Sequence, residues 1–303
     1  MSSHIAAYYY PTTIAIIDDN KHFLNNICFR LDELFTYSLF DWSAAALEYF
    51  NSKYIFDPIA SRCLINNQSV NFEIICKEAT NHSRFEEVSV MIVDYNMPTH
   101  NGIEFCEQVK HLPIKRMLVT GTATQAQAID AFNRGLIDKF IIKDTTHFDE
   151  ELNQSLKELR YRYFQDISES IIKPLQAEEK CILNHPAYAD FFKAFCKQNQ
   201  IVEFYLYNAQ GSFLLLDADA NVSWFIVEST ANLKAGNKLF FAPPLPDLNQ
   251  TQGAETDSYL HPAKPLEIDP TFSYAFIQNK NEWWPDCKRI LAYSKHLQCF
   301  WPN

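Results

Sequence analysis

The strongest constraint on this chain is an alternation that runs from Thr13 to Lys143. Short apolar runs, each ending in a chemically distinctive residue, alternate with stretches that carry apolar residues at helical spacing. Residues 14–17 form the first run and end at Asp18-Asp19. Residues 21–35 follow with a stripe at Phe23, Ile27, Leu31 and Leu34. Residues 37–42 predict a second strand, and Ser43 is the expected N-cap of a helix over 44–51. A third strand over 88–93 ends in Asp94, and a helix over 103–111 stops at Pro113. A fourth strand over 117–120 ends in Thr120, a helix over 124–134 closes on Gly135, and a fifth strand over 139–142 ends at Lys143. Strands that alternate with helices specify an α/β domain: a doubly wound five-stranded parallel sheet covered on both faces.

In such sheets ligands bind beyond the carboxyl ends of the strands. Asp18, Asp19, Asp94, Thr120 and Lys143 all fall at those ends. Three carboxylates at close range repel one another and need a cation to offset the repulsion. Oxygen-only ligands suit a hard divalent ion such as Mg²⁺. One carboxylate can then attack a phosphoryl group and become an acyl phosphate. The metal and Lys143 would stabilise charge on the phosphoryl oxygens, and Thr120 can donate a hydrogen bond to one of them. Glycine usage excludes the commoner routes to phosphate. The chain has only 6 glycines, none of them paired, so it lacks every glycine-rich phosphate loop and the nucleophile elbow of serine hydrolases.

The runs Ile14-Ala-Ile-Ile-Asp-Asp19, Val93-Asp94-Tyr-Asn-Met-Pro98 with Gly102, Val119-Thr120-Gly121 and Phe140-Ile-Ile-Lys143 resemble the receiver domain of two-component response regulators, a CheY-like, flavodoxin-like fold, over about 13–165. The resemblance implies that Asp94 is the phospho-acceptor. It implies that Asp18, Asp19, Asp94 and the backbone carbonyl of Asn96 hold Mg²⁺, and that Lys143 and Thr120 read the phosphoryl group. Phe140 would be the aromatic that turns inward when Thr120 moves, and Asn96 and Thr122 would tune the lifetime of the acyl phosphate. Two departures stand out. Asp144 occupies the position after the lysine, where the family usually has proline. The separation of Asp19 from Asp94 is also longer than usual, which places an insertion at about 53–87. Within it, 63–65 and 70–75 flank a polar turn and suggest a hairpin, either as a surface elaboration or as a docking surface.

The expected organisation is a receiver at 13–150, an extended connecting helix at 148–174 closed by Pro174, and a smaller α+β output domain at 176–303. In the output region a helix is expected over 187–198, and strands over 203–207, 212–217, 222–228 and 271–278. These give an antiparallel sheet of about five strands, followed by a helix over 286–296. The stretch 241–270 reads as an extended loop and the first 13 residues as a short tail. The strand meander faintly resembles ligand-sensing PAS-type sheets. Trp224, Phe225, Phe241 and the other dense aromatics of this half are expected to be mostly core, with a small-ligand pocket as the alternative.

The output shows no Gly-Gly, Glu-Ala-Leu or His-Asp sequence, so the common cyclic-dinucleotide motifs are missing. The net charge of −11 is spread over both halves, which argues against a large nucleic-acid footprint. The 8 cysteines form no paired spacing and read as free thiols of a cytoplasmic protein. No apolar run is long enough to span a membrane. The resemblance therefore implies a response regulator phosphorylated by a sensor histidine kinase or phosphotransfer protein. It implies no enzymatic activity beyond self-phosphorylation and dephosphorylation at the receiver aspartate. Switching would drive homodimerisation through the receiver and connecting helix, or act on an output that works by protein or small-ligand contact. A DNA-binding regulator with an unusual output fold, or an output enzyme, are the alternatives. The combination loosely resembles quorum-sensing response regulators.

Overall fold

The computed structural model describes residues 4–31, 35–65, 69–98, 100–121, 125–143, 145–176, 181–233, 237–241 and 259–278. Thr122, Asp144, the turn at 66–68, the helix expected over 286–296 and Trp283, Trp284 and Trp301 lie outside the described residues. The chain divides into two compact units. Among the described residues, one gathers those up to Tyr9, the stretch Ile59–Asn81, and the stretch Ser168–Gln278. The other holds Tyr10–Pro58 and His82–Ile167.

The second of these units is the alternating part of the chain. Its strands are β1 (Thr13–Ile17), β2 (Thr36–Phe40), β3 (Val88–Asp94), β4 (Lys115–Thr120) and β5 (Lys139–Ile142). They pair in parallel in the order β2-β1-β3-β4-β5. β1 and β3 are buried at every position, as strands must be when helices cover both faces of a parallel sheet. Side chains alternate between two layers. Ile14, Ile16, Val90, Ile92, Met117 and Val119 pack with Leu24 and Ile27 on one face, and with Leu152 and Leu156 of the long helix. Ala15, Ile17, Val93 and Leu118 pack with Phe105, Ala128 and Ala131 on the other. The period of 2 puts successive residues on opposite faces.

Its helices are α1 (Lys21–Ile27), α2 (Ser43–Glu48), α3 (Gly102–Gln108), α4 (Gln125–Asn133) and α5 (Phe148–Gln176), the last of which continues into the other unit. Three local expectations are corrected here. α1 ends well before residue 35. The N-cap of α2 is Trp42, not Ser43. Ser43 is buried, and its hydroxyl makes no hydrogen bond, so burial overrides its capping preference. Pro174 lies inside α5 rather than closing it. An interior proline costs about 3 kcal/mol, but Ile171, Ile172 and Leu175 around it are buried. Gln176 then anchors the helix end, donating to the Leu183 carbonyl and accepting from the Asn184 amide.

The other unit is built on one six-stranded antiparallel sheet. Its central strands are β6 (Ile201–Leu206), β7 (Phe213–Asp217), β8 (Val222–Ser229) and β9 (Asp269–Gln278). Lys264–Leu266 flanks β9, and Tyr8–Tyr9 flanks β6. Tyr8–Tyr9, expected to lie in a tail, is thus an edge strand, and the sheet has six strands rather than five. The stretch read as an extended loop contains the strands Tyr259–Pro262 and Lys264–Leu266. The hairpin expected in the insertion shrinks to a two-residue pairing of Leu64–Ile65 with Ser69–Val70. Its second half forms the helix Phe72–Lys77, capped by the Asn71 side chain.

α6 (Tyr188–Gln198) lays Phe192 and Phe195 on Phe204, Phe213, Phe225 and Phe276, with ring centroids 4.3–5.5 Å apart. Trp224 and Phe241 are buried, so these aromatics are core, as their density along the chain led one to expect. The described cysteines are free thiols. Burial pushes Cys76 and Cys106 up to about 12.

Candidate functional site

The register of the parallel sheet assembles the site. Ile17 lies beside Val93, so the first residue past β1, Asp18, arrives next to the last residue of β3, Asp94. Thr120 lies beside Ile142, so Lys143 emerges next to Thr120. This is the crevice where strand order reverses, between β1 and β3, in a 2-1-3-4-5 sheet.

Backbone contacts fix each carboxylate. Asp18 Oδ1 accepts the Asn20 N–H at 2.8 Å. Asn20 in turn caps α1, its side chain accepting from the His22 and Phe23 amides. Asp94 Oδ2 accepts the Asn96 N–H at 2.7 Å. The loop after Asp94 closes through Tyr95 N–H to the Val119 carbonyl and Gly102 N–H to the Tyr95 carbonyl. Asn101 and Glu104 form a complete capping box at the start of α3. Gly102 packs flat on this loop. A Cβ there would stand 2.3 Å from the Asp94 carbonyl oxygen.

Lys143 ties the carboxylates together. Its Nζ lies 2.6 Å from Asp18 Oδ2 and 2.5 Å from Asp94 Oδ1. The same ammonium sits 4.2 Å from the centre of the Phe23 ring. Asp18, Asp19 and Asp94 each offer an oxygen within 4.8 Å of the others. Asp18 and Asp94 are buried, and Asp19 is exposed at the mouth. Burial raises the Asp18 carboxyl above its usual value and the Asp94 charge adds to this, while Lys143 opposes it. Burial pulls the Lys143 ammonium down, but the hydrogen bonds and charges of Asp18 and Asp94 outweigh that and hold it above the ordinary lysine value. Three carboxylates against one ammonium leave the cluster short of positive charge. That donor set, all oxygen and open on one side, fits a hard divalent cation.

Thr120 is buried, its hydroxyl donating to the Gly121 carbonyl at 2.9 Å. Asn96 is exposed beside Asp94. Phe140 does not join the cluster. It is half-buried and packs against the layer that holds Leu118 and Ala128. The structure thus brings Asp18, Asp19, Asp94 and Lys143 together, with Thr120 at the adjoining strand end. Sequence reasoning missed Asn20, Asn101 and Phe23. The first two carry a readable sign, an asparagine ahead of a helix, with Glu104 completing the capping-box spacing. Phe23 carried none beyond its place in an apolar stripe.

The shared ammonium makes a sharp expectation. Lys143→Met leaves two buried carboxylates facing each other and should destabilise the fold by about 3–5 kcal/mol. Adding Asp94→Asn should return part of that loss. Urea melts of the single and double variants without divalent ions check this, and strictly additive losses would contradict it.

The family model for the response regulator receiver domain matches residues 67–157. No curated protein matches the chain. Among solved structures, the chain is similar to the Legionella pneumophila response regulator LqsR, at 33% identity and a TM-score of 0.73. The match covers 91% of this chain and 91% of that one. The chain belongs to the response regulators. A CheY-like receiver domain protein from Methanospirillum hungatei JF-1 also matches this regulator, at 18% identity and a TM-score of 0.37 over 52% of this chain and 98% of that one. The receiver match begins at residue 67, so Asp18 and Asp19 of the regulator precede the matched span. Among the described residues, no helix is long and apolar enough to cross a membrane.

Proposed function

We propose that the regulator is phosphorylated on Asp94 by a sensor histidine kinase or a phosphotransfer protein. An Asp94 carboxylate oxygen attacks the phosphorus of a phosphohistidine. The O–P bond forms and the P–N bond breaks, and the imidazole nitrogen leaves with the electron pair. Asp18, Asp19, Asp94 and the backbone carbonyl of Asn96 would hold Mg²⁺, which supplies positive charge to the phosphoryl oxygens when bound. Lys143 swings its charge from the Asp94 carboxylate to the incoming phosphoryl group, while its second partner, Asp18, keeps it at the site. The Thr120 hydroxyl exchanges its bond to the Gly121 carbonyl for one to a phosphoryl oxygen. Phe140, half-buried next to that strand, follows Thr120 inward and changes the surface of α4, β5 and α5.

The observation that carries this reading is the single ammonium bridging two buried carboxylates at hydrogen-bond distance. The receiver sits at 13–150, and the change passes along α5 to the antiparallel unit. The output then acts as a homodimer, or through contact with a protein or small ligand, in the cytoplasm. Incubation with acetyl phosphate and Mg²⁺ should label the wild type and leave Asp94→Asn unlabelled, read by intact mass. Equal labelling of both proteins would remove Asp94 from this role.

A further inference from the structure

Among the described residues the Lys143 ammonium has three close partners, and two of them are carboxylates. The third is the face of the Phe23 ring, 4.2 Å away. Phe23 projects from α1, whose start is fixed by Asn20, the residue whose N–H also binds Asp18. The ring is half-buried, packed against the layer of Leu24, Ile27 and Phe148, and it meets the Phe148 ring edge-on at 6.4 Å. Its position is therefore set by packing rather than by Lys143. Lys143 is itself mostly covered, with 19% of its side chain exposed. A lysine stem has four rotatable bonds and gives up much rotamer freedom when its head is held at one point. A ring face attracts an ammonium through its quadrupole, more strongly where water is excluded.

We infer that Phe23 is a positioning residue for phosphoryl transfer: it is a fixed aromatic wall that holds the Lys143 ammonium against Asp18 and Asp94 and keeps water off one side of it. This rests on the assignment of Asp94 as the phospho-acceptor. The carboxylates alone do not supply this constraint. Once one Asp94 oxygen is committed to phosphorus, Lys143 loses part of its anchoring, and the ring contact persists because it depends on neither carboxylate. Leucine at this position would keep most of the apolar packing and lose the quadrupole. Tryptophan would keep a ring face.

Two readouts on the full chain test this in the wild type, Phe23→Leu and Phe23→Trp. The first needs no phosphorylation. With lysine labelled at Cε, the Lys143 Hε resonances should lie upfield through the ring current, move toward ordinary lysine values in Phe23→Leu, and stay upfield in Phe23→Trp. The second is the labelling rate with phosphoramidate and Mg²⁺, a small donor that bypasses any role of α1 in docking a kinase. Phe23→Leu should label about 3- to 10-fold more slowly, and Phe23→Trp should recover most of the rate. An unshifted Lys143 signal in Phe23→Leu overturns the contact. A shifted signal with an unchanged labelling rate overturns the positioning role. If the wild type shows the ring-current shift but takes up no phosphoryl group, the assignment of Asp94 has failed and the role of Phe23 in transfer falls with it, while the contact itself stands.

Discussion

A fragment that starts at residue 176 will not fold. Three separate segments of the chain build the antiparallel unit, and that fragment carries only one of them. It lacks Tyr8–Tyr9, the strand that pairs with Phe204 and Tyr205 at the edge of β6. It also lacks Ile59–Cys63 and Phe72–Lys77, the helices within Ile59–Asn81. Those segments bury Ile5, Ala6, Ala7, Tyr8, Ile59, Cys63, Ile75 and Ala79, each at 2% exposure or less. The Cys76 thiol reaches the Leu206 carbonyl on β6, and the Ala7 amide binds Ser168 Oγ near the end of α5. Without these partners, β6 becomes an open edge with an uncovered apolar surface, a template for aggregation.

Fragment 176–303 should therefore show a collapsed or aggregated state with little amide dispersion in its NMR spectrum and no cooperative melt. A rearranged chain that joins 4–10 and 59–81 to residues from 168 onward should recover both. A cooperative melt from 176–303 alone would mean that the missing segments only decorate the sheet. The same arrangement bears on regulation. Among the described residues the chain crosses between the two units at Tyr9/Tyr10, Pro58/Ile59, Asn81/His82 and Ile167/Ser168, so the two units are joined by more than a single tether.

Gly102→Ala is the second large effect. Its Cβ would fall 2.3 Å from the Asp94 carbonyl oxygen and 2.7 Å from Leu118 Cδ1. The oxygen belongs to backbone, so the clash cannot be relieved by turning a side chain. Either α3 moves outward or the peptide after Asp94 rotates. Overpacking costs about 1–3 kcal/mol and occasionally more, and a backbone obstacle places this change at the upper end or beyond. Because the obstructed carbonyl is that of Asp94 itself, labelling should fall along with stability. Gly121→Ala is the control, since among the described residues a Cβ there meets nothing within 4 Å. Equal melting midpoints and equal acetyl phosphate labelling for the two variants would show that the loop after β3 yields freely.

The sequence carried most of the parallel unit because its signals are local. A strand buried between two helix layers must be a largely apolar run: 14–17 is apolar throughout, 88–93 is broken only by Ser89, and the edge run 139–142 keeps Phe-Ile-Ile after Lys139. The ends of those runs, and of 117–120, single out Asp18, Asp94, Thr120 and Lys143. α6 and the meander β6–β7–β8 were legible for the same reason, with turns at Asn208–Gly211 and Asp217–Asn221 punctuating apolar strands. What failed were features whose cause lies elsewhere in the chain. Ser43 has the chemistry of a cap, but the core buries it. Pro174 has the chemistry of a helix stop, but buried neighbours and the Gln176–Asn184 contact hold the turn.

Long-range pairing explains the larger misreadings. Tyr8–Tyr9 is too short to announce a strand, and it becomes one only because β6 offers an unpaired edge. The helices of the insertion carry buried faces that belong to a sheet formed more than a hundred residues later, so sequence position placed them with their neighbours and not with their partners. Phe23 is the same case at the site. The sequence by itself determined which charged residues gather at the strand ends, because charge and the ends of apolar strands are encoded within a few positions. Only the tertiary structure decided what holds them, because the contacts that fix an ammonium against two carboxylates, or complete a sheet, join segments that the chain keeps far apart.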